Sequence, residues 1–258
     1  MLIKIEQLIC IVRDASKFMI TDGFEIEQKG GCENIVTSSD LAVQNFLCEK
    51  LLEIMPESGF LCEEKDINDA RHEYTWIIDP IDGTANYSRG IDQCAICVGL
   101  KHNDEMEMGV VYIPRTNEMF HAEKGKGAYL NGKPIHVSNR PFGNAVLCTA
   151  LPVYHKQYPE VCSKIIVEAF GKCNDIRRFG ACAPELCYMA MGRCELYFEY
   201  LLSPWDYAAA SLIVTEAGGV ITSSDGSNLR LTEPTGVIAA NTLPNHQQLL
   251  DIVASVQL

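Results

Sequence analysis

Trp76-Ile77-Ile78-Asp79-Pro80-Ile81-Asp82-Gly83-Thr84 is the stretch from which the rest of the chain can be read. Trp76, Ile77 and Ile78 suit a buried strand. The run stops on a carboxylate, and Pro80 fixes its own φ and gives up its N–H, so a rigid proline turn is expected after Asp79. Asp79 and Asp82 stand three apart; in a turn both face one point, with the Ile81 carbonyl between them as a third oxygen. Such donors suit a hard divalent ion such as Mg²⁺, which leaves positions for water and phosphate. Gly83 lets the backbone come close to a ligand, and the Gly83 and Thr84 N–H groups, at the start of a following helix, would hold an anion. The stretch thus reads as a meeting place of metal and phosphate. The plainer alternative is a strand ended by Asp79-Pro80 and an ordinary Asp82-Gly83 turn.

Composition narrows the function classes. The 258 residues are 47% hydrophobic and 21% charged, with 21 basic against 34 acidic residues and a net charge of −13. That is the balance of a folded globular chain with a substantial core. Affinity for DNA or RNA comes mainly from Lys and Arg neutralising phosphates, so no nucleic-acid partner is expected. An acidic protein meets a phosphate ester through cations, in keeping with the metal reading. The start Met1-Leu2-Ile3-Lys4-Ile5-Glu6 has no signal-peptide layout and no apolar run reaches membrane-spanning length. A cytoplasmic protein with no membrane partner is expected, its twelve cysteines reduced. Cys94 and Cys97 form a CxxC, but in a strand residues three apart point to opposite faces, so they read as small buried hydrophobes rather than a redox or metal pair.

Further carboxylates lie in Cys62-Glu63-Glu64 and Ser203-Pro204-Trp205-Asp206. Together with Asp79-Pro80-Ile81-Asp82-Gly83-Thr84, Asn34-Ile35-Val36-Thr37-Ser38-Ser39-Asp40 and Leu212-Ile213-Val214-Thr215-Glu216-Ala217-Gly218-Gly219, they form a pattern that resembles the inositol monophosphatase family of Mg²⁺-dependent, lithium-inhibited phosphatases. The resemblance covers nearly the whole chain; one departure is Cys62, where the family commonly has glycine. It implies metal ligation by Glu63, Asp79, Ile81, Asp82 and Asp206. It also implies that Thr84 with Glu63 and Asp40 orients the attacking water, that Gly83 and Thr84 hold the phosphate, and that the polyol lies against Glu199, Cys182 and Ala183, with Asp82 and Asp206 also facing the substrate. A small phosphorylated substrate and a homodimer are expected. Inositol monophosphate comes first, with fructose 1,6-bisphosphate, a 3′-phosphoadenosine nucleotide and histidinol phosphate as alternatives. A carboxylate-rich ion-binding interaction module without turnover is the reading from another class.

Two of these residues have simpler roles open to them. Thr37-Ser38-Ser39-Asp40 has the form of a capping box before a helix from Leu41 to Met55, and Ser203, Pro204 and Asp206 suit N-cap, N1 and N3 of another. Along the rest of the chain, Leu2 to Ile20 has a helical apolar stripe stopped by Thr21-Asp22-Gly23, and Gln28-Lys29-Gly30-Gly31 reads as a polar loop. Phe60-Leu61-Cys62 reads as a short strand and Asp66 to Glu73 as a charged loop. Short β-like runs at Gln93–Leu100, Glu107–Tyr112, Glu118–Ala122 and Gly127–Leu130 suggest an antiparallel meander. Gly127 to Pro134 imitates a P-loop, but Asn131-Gly132 is a hairpin turn and a strand resumes at Ile135 to Val137, so nucleotide binding there is rejected. After a seam at Ser138 to Pro141, strands (Ala145–Ala150, Asp175–Phe179, Glu195–Glu199) alternate with helices (Pro159–Phe170, Pro184–Met191, Ser203–Ala217), and Val237–Ala240 and Gln247–Val256 close the chain. The expected fold is a layered α/β (α+β) sandwich, with an antiparallel-sheet lobe over residues 1–140 and an alternating α/β lobe over 141–258. The six histidines show no ligand spacing and are expected at the surface.

Overall fold

A computed structural model describes residues 3–20, 23–31, 34–64, 69, 71–152, 155 and 157–257. The expected helix stop at Thr21-Asp22 and half of the charged loop from Asp66 to Glu73 lie outside the described residues. In chain order the elements are α1 (Ile5–Ala15), β1 (Ile26–Gly31), β2 (Asn34–Thr37), α2 (Ser38–Ile54), β3 (Gly59–Cys62), β4 (Tyr74–Asp82), α3 (Thr84–Tyr87), β5 (Ala95–His102), β6 (Glu105–Ile113), β7 (Glu118–Glu123), β8 (Ala128–Leu130) and β9 (Lys133–Ile135). There follow β10 (Val146–Thr149), α4 (Pro159–Phe170), β11 (Asp175–Arg177), α5 (Cys182–Ala190), β12 (Leu196–Leu202), α6 (Pro204–Glu216), β13 (Val220–Ser223), β14 (Thr235–Ala240) and α7 (Leu243–Gln257).

Two large sheets carry the architecture. The first runs β3 to β9 in sequence order, with β3 parallel to β4 and every later neighbour antiparallel. The second is mixed, in the order β11-β10-β12-β14-β13. Helices make the other layers: α1 and α2 cover the outer face of the first sheet, α5 and α6 fill the space between the sheets, and α4 and α7 cover the outer face of the second. The layered sandwich expected from the sequence is thus present.

Because β4 lies between two helical layers, it reads as an unbroken apolar run rather than an alternating one. Trp76 and Ile78 pack toward α1 and α2, and Ile77 toward α5 and α6. The same alternation separates the two cysteines of the CxxC: Cys97 joins the inter-sheet core, while Cys94 packs with Ile81 and Tyr87. Helix α6 lies close against the first sheet. Ala208, Ala209 and Ala210 are all buried, and a Cβ on Gly109 would run into the Ala209 carbonyl. That close approach brings the N-terminal end of α6 to the site.

Several expectations need correction. Pro80 does not end the strand, because β4 continues to Asp82. Its pairing with β5 shifts instead: Asp79 faces Cys97 and Asp82 faces Ala95, so three steps on β4 match two on β5. One extra residue makes a β-bulge, and a proline fits there because a bulge leaves a position without a ladder bond. Gln28 to Gly31 belongs to a strand paired with β2, not to a polar loop. The strand before the lobe seam ends at Ile135 rather than beginning there. His246 is 3% exposed, with its Nε2 2.9 Å from the Thr222 hydroxyl.

Candidate active site

The bulge decides where the carboxylates go. In a regular strand, residues three apart point to opposite faces; the extra residue between Asp79 and Asp82 cancels one reversal. Asp79 is 1% exposed and its Oδ1 accepts from the Ile81 N–H at 2.9 Å. It is also hydrogen-bonded to the Glu63 carboxyl. Glu63 follows β3, held by its N–H to the Ile78 carbonyl at 3.2 Å. Asp82 accepts from the Cys182 and Ala183 N–H groups at 3.2 and 2.6 Å, a carboxylate seated at the N-terminus of α5. Asp206 sits in the first turn of α6, its Oδ2 accepting from the Ser203 N–H at 2.7 Å.

The charges acting most strongly on Asp79 and Asp206 come from the other carboxylates of this cluster, whereas the strongest on Asp82 is that of Glu199. Burial first, then the Glu63, Asp82 and Asp206 charges, push Asp79 well above the carboxylate range. Asp206 rises likewise, by burial and then by Asp82 and Glu63. Burial lifts Asp82 to about 7 against the pull of its backbone hydrogen bonds. A set of mutually repelling, oxygen-only donors, two of them buried and two half-buried, suits a hard cation. Among the described residues, no group of three or more His, Cys, Asp or Glu is already arranged to hold a metal ion.

Beside the carboxylates, Gly83 takes φ +84°, and a Cβ there would stand 2.9 Å from that of Ala181, so the turn into α3 needs glycine. The Thr84 hydroxyl lies 3.0 Å from the Ile81 carbonyl and 3.3 Å from Asp40 Oδ1. Asp40 also caps α2, its Oδ2 accepting from the Thr37 N–H at 2.8 Å, so one carboxylate serves both the cap and Thr84. Ser203 and Asp206 likewise form a capping box. Glu199 stands on β12, its Oε1 accepting from the Tyr197 hydroxyl at 2.8 Å, and burial raises it to about 7. Cys182 and Ala183 are buried and their N–H groups are engaged by Asp82.

Three residues near the site were given no role from the sequence. Asn86 Nδ2 donates to the Gln93 and Phe179 carbonyls, each at 2.7 Å, tying α3 to the segment before α5. Gln44 is hydrogen-bonded to the backbone of Glu64. Glu185 is fully buried; its Oε1 accepts from the Phe179 and Gly180 N–H groups, and its Oε2 has no partner among the described residues.

Burial and then the Glu199 charge lift Glu185 from an ordinary value of 4.5 to about 8. The folded value exceeds the unfolded one, so between about pH 4.5 and 8 the native state holds a proton that the unfolded chain releases, and stability falls as pH rises through that window. Glu185→Gln keeps an acceptor for both amides without a charge. We expect the variant to melt progressively higher than the wild type as pH is raised through this window. A constant difference between the two melting curves would show that Glu185 does not bind this proton.

Two packed sheets with three helical layers, and an acidic cluster where β4 meets α5 and α6, define a layered α/β protein with its site at the junction of the two sheets. The chain belongs to the inositol monophosphatase family, whose model matches residues 5–258. It is 37% identical over 218 residues to the Nus factor SuhB of Vibrio cholerae, covering 81% of this chain and 82% of that protein. With the Nus factor SuhB of Escherichia coli it is 34% identical over 230 residues, 88% and 85% of the two. Among solved structures, the extragenic suppressor protein SuhB of Bartonella henselae superposes with a TM-score of 0.88 at 28% identity, covering 96% of this chain and 97% of that one. The IMPase of Thermotoga maritima does so with 0.87 at 29%, covering 98% and 97%.

Proposed function

We propose that the protein hydrolyses a phosphate monoester with the help of Mg²⁺, inositol monophosphate being the first-choice substrate. The observation that carries this reading is the cluster of Asp79 and Asp82, both buried, with the half-buried Asp206 and Glu63 beside the Gly83-Thr84 turn. Glu63, Asp79, the Ile81 carbonyl, Asp82 and Asp206 would hold Mg²⁺, which requires the carboxylates to turn toward one point. When bound, Mg²⁺ supplies Lewis-acid stabilisation of phosphoryl charge and makes water a better nucleophile at neutral pH.

The remaining work falls to the chain. The Thr84 hydroxyl directs its proton toward Asp40 or the Ile81 carbonyl, leaving lone pairs to accept a hydrogen bond from the attacking water, which Glu63 orients from the other side. The Gly83 and Thr84 N–H groups hold phosphate oxygens at the opening of α3. Glu199, with Cys182 and Ala183 beside it, receives the polyol. Lithium inhibition, a cytoplasmic location and a homodimer go with the family reading, as does a division into lobes of residues 1–140 and 141–258. A panel of phosphate esters, assayed for phosphate release with Mg²⁺, tests the reading; no release from any of them would overturn it. The relatives named Nus factors favour a second reading, in which the chain also engages a protein partner, and a chain that binds ions without turnover would bring that reading forward.

Glu199 decides between inositol monophosphate and phosphate esters in general. Losing a charge-assisted hydrogen bond costs roughly 1.5–3 kcal/mol, or about 10- to 150-fold in kcat/KM. We expect Glu199→Ala to lose that much on inositol monophosphate and almost nothing on an aryl phosphate without ring hydroxyls. Equal losses on both would make Glu199 a general support of the site.

A further inference from the structure

Helix α2 presents Asp40, Gln44 and Cys48 at four-residue intervals, which places them on one face. Asp40 reaches Thr84, as described above. Gln44, fully buried, does something different with the next segment of the site. Its Oε1 accepts from the Glu64 N–H at 3.0 Å, and its Nε2 donates to the Glu64 carbonyl. Both halves of one carboxamide thus engage both backbone groups of one residue, as a neighbouring strand would. The pairing of β3 with β4 ends at Cys62 opposite Ile78, so the clamp takes over where the ladder stops.

The consequence falls on Glu63. Its own N–H is held by the Ile78 carbonyl on β4. The peptide that follows it carries the Glu64 N–H, which Gln44 holds from α2. With the peptide planes on both sides fixed, the direction in which Glu63 leaves the backbone is set. We propose that Gln44 is a positioning residue that fixes Glu63 for metal ligation and so sets the affinity of the site for its divalent ion; this rests on the metal reading above.

Removing a group that orients a metal ligand typically weakens binding by about 10–100-fold. The test uses the full-length chain with Mg²⁺ as the probe, titrated calorimetrically without substrate, together with hydrogen exchange at the Glu64 amide. For Gln44→Leu we expect the Glu64 amide to lose protection and the Mg²⁺ Kd to rise within that range, while kcat at saturating Mg²⁺ stays near wild type. Leu47→Ala removes a fully buried side chain from the α1–α2 core on the same helix; it should lower the melting temperature and leave the Kd in place. Should Gln44→Leu fail to fold, Gln44→Asn, one methylene too short to reach Glu64, is expected to show the same rise in Kd.

An unchanged Kd in a variant whose Glu64 amide has lost protection overturns the proposal. So does a Glu64 amide that stays protected without Gln44, or a Leu47→Ala variant whose Kd rises as much. A wild-type chain that takes up no Mg²⁺ overturns the metal reading and this inference with it, and is told apart from the other failures because it appears before any substitution is made.

Discussion

Asp79→Asn is expected to lower kcat by orders of magnitude and, in the absence of added metal, to raise the melting temperature. The two effects have one origin. Asp79 is crowded by Glu63, Asp82 and Asp206, and each of those charges opposes its ionisation. Asparagine is nearly the same size and keeps the oxygen that accepts from the Ile81 N–H, so the fold has no reason to change. What it lacks is the charge that a divalent ion and the transition state both use, and loss of an interaction made mainly in the transition state falls on kcat rather than on KM alone. Steady-state kinetics at saturating Mg²⁺, with melting curves in chelator, check both halves. Near-normal kcat would reduce Asp79 to a strand residue, and a lower melting temperature would show that the repulsion is not what the native state bears.

Stripping divalent ions with a chelator should abolish phosphate release, and adding Mg²⁺ should restore it. The same addition should stabilise the protein, since a ligand at a hundred times its Kd contributes about 2.7 kcal/mol. At roughly 2–4 °C per kcal/mol for a chain near this size, the melting temperature rises by about 5–10 °C. Asp79→Asn should show much less of that rise. Full activity in chelator would remove the metal from the reaction and leave the carboxylate cluster without its proposed use.

The layered sandwich could be read from the sequence because its signals are local. The apolar run of β4, the meander from β5 to β8 and the alternation of the second half all announce themselves within a few residues. Residues 76–84 also pointed to the candidate site. The bulge at Pro80 was not legible, since proline after aspartate looks the same in a turn and in a bulge, and only pairing with Cys97 and Ala95 tells them apart. The β1–β2 hairpin escaped because Gln28, Lys29, Gly30 and Gly31 carry no apolar alternation. Gln44, Asn86 and Glu185 were invisible for a different reason: each acts on backbone groups outside its own helix, and a polar residue within a helix gives no sign of what it will meet.

Asp82 finds its hydrogen-bond partners 100 and 101 residues further on, which gives the molecule a calendar. At about 5–20 residues per second of synthesis, that separation is roughly 5–20 s. During this interval the first sheet can be complete while its inward face, which α5 and α6 will cover, is open to solvent and Asp82 has nothing to hold. A nascent chain paused there is an apolar surface with an acidic edge, the state in which a chaperone is most useful. The half of the protein that supplies most of the acidic residues of the site is therefore also the half that waits longest for its cover.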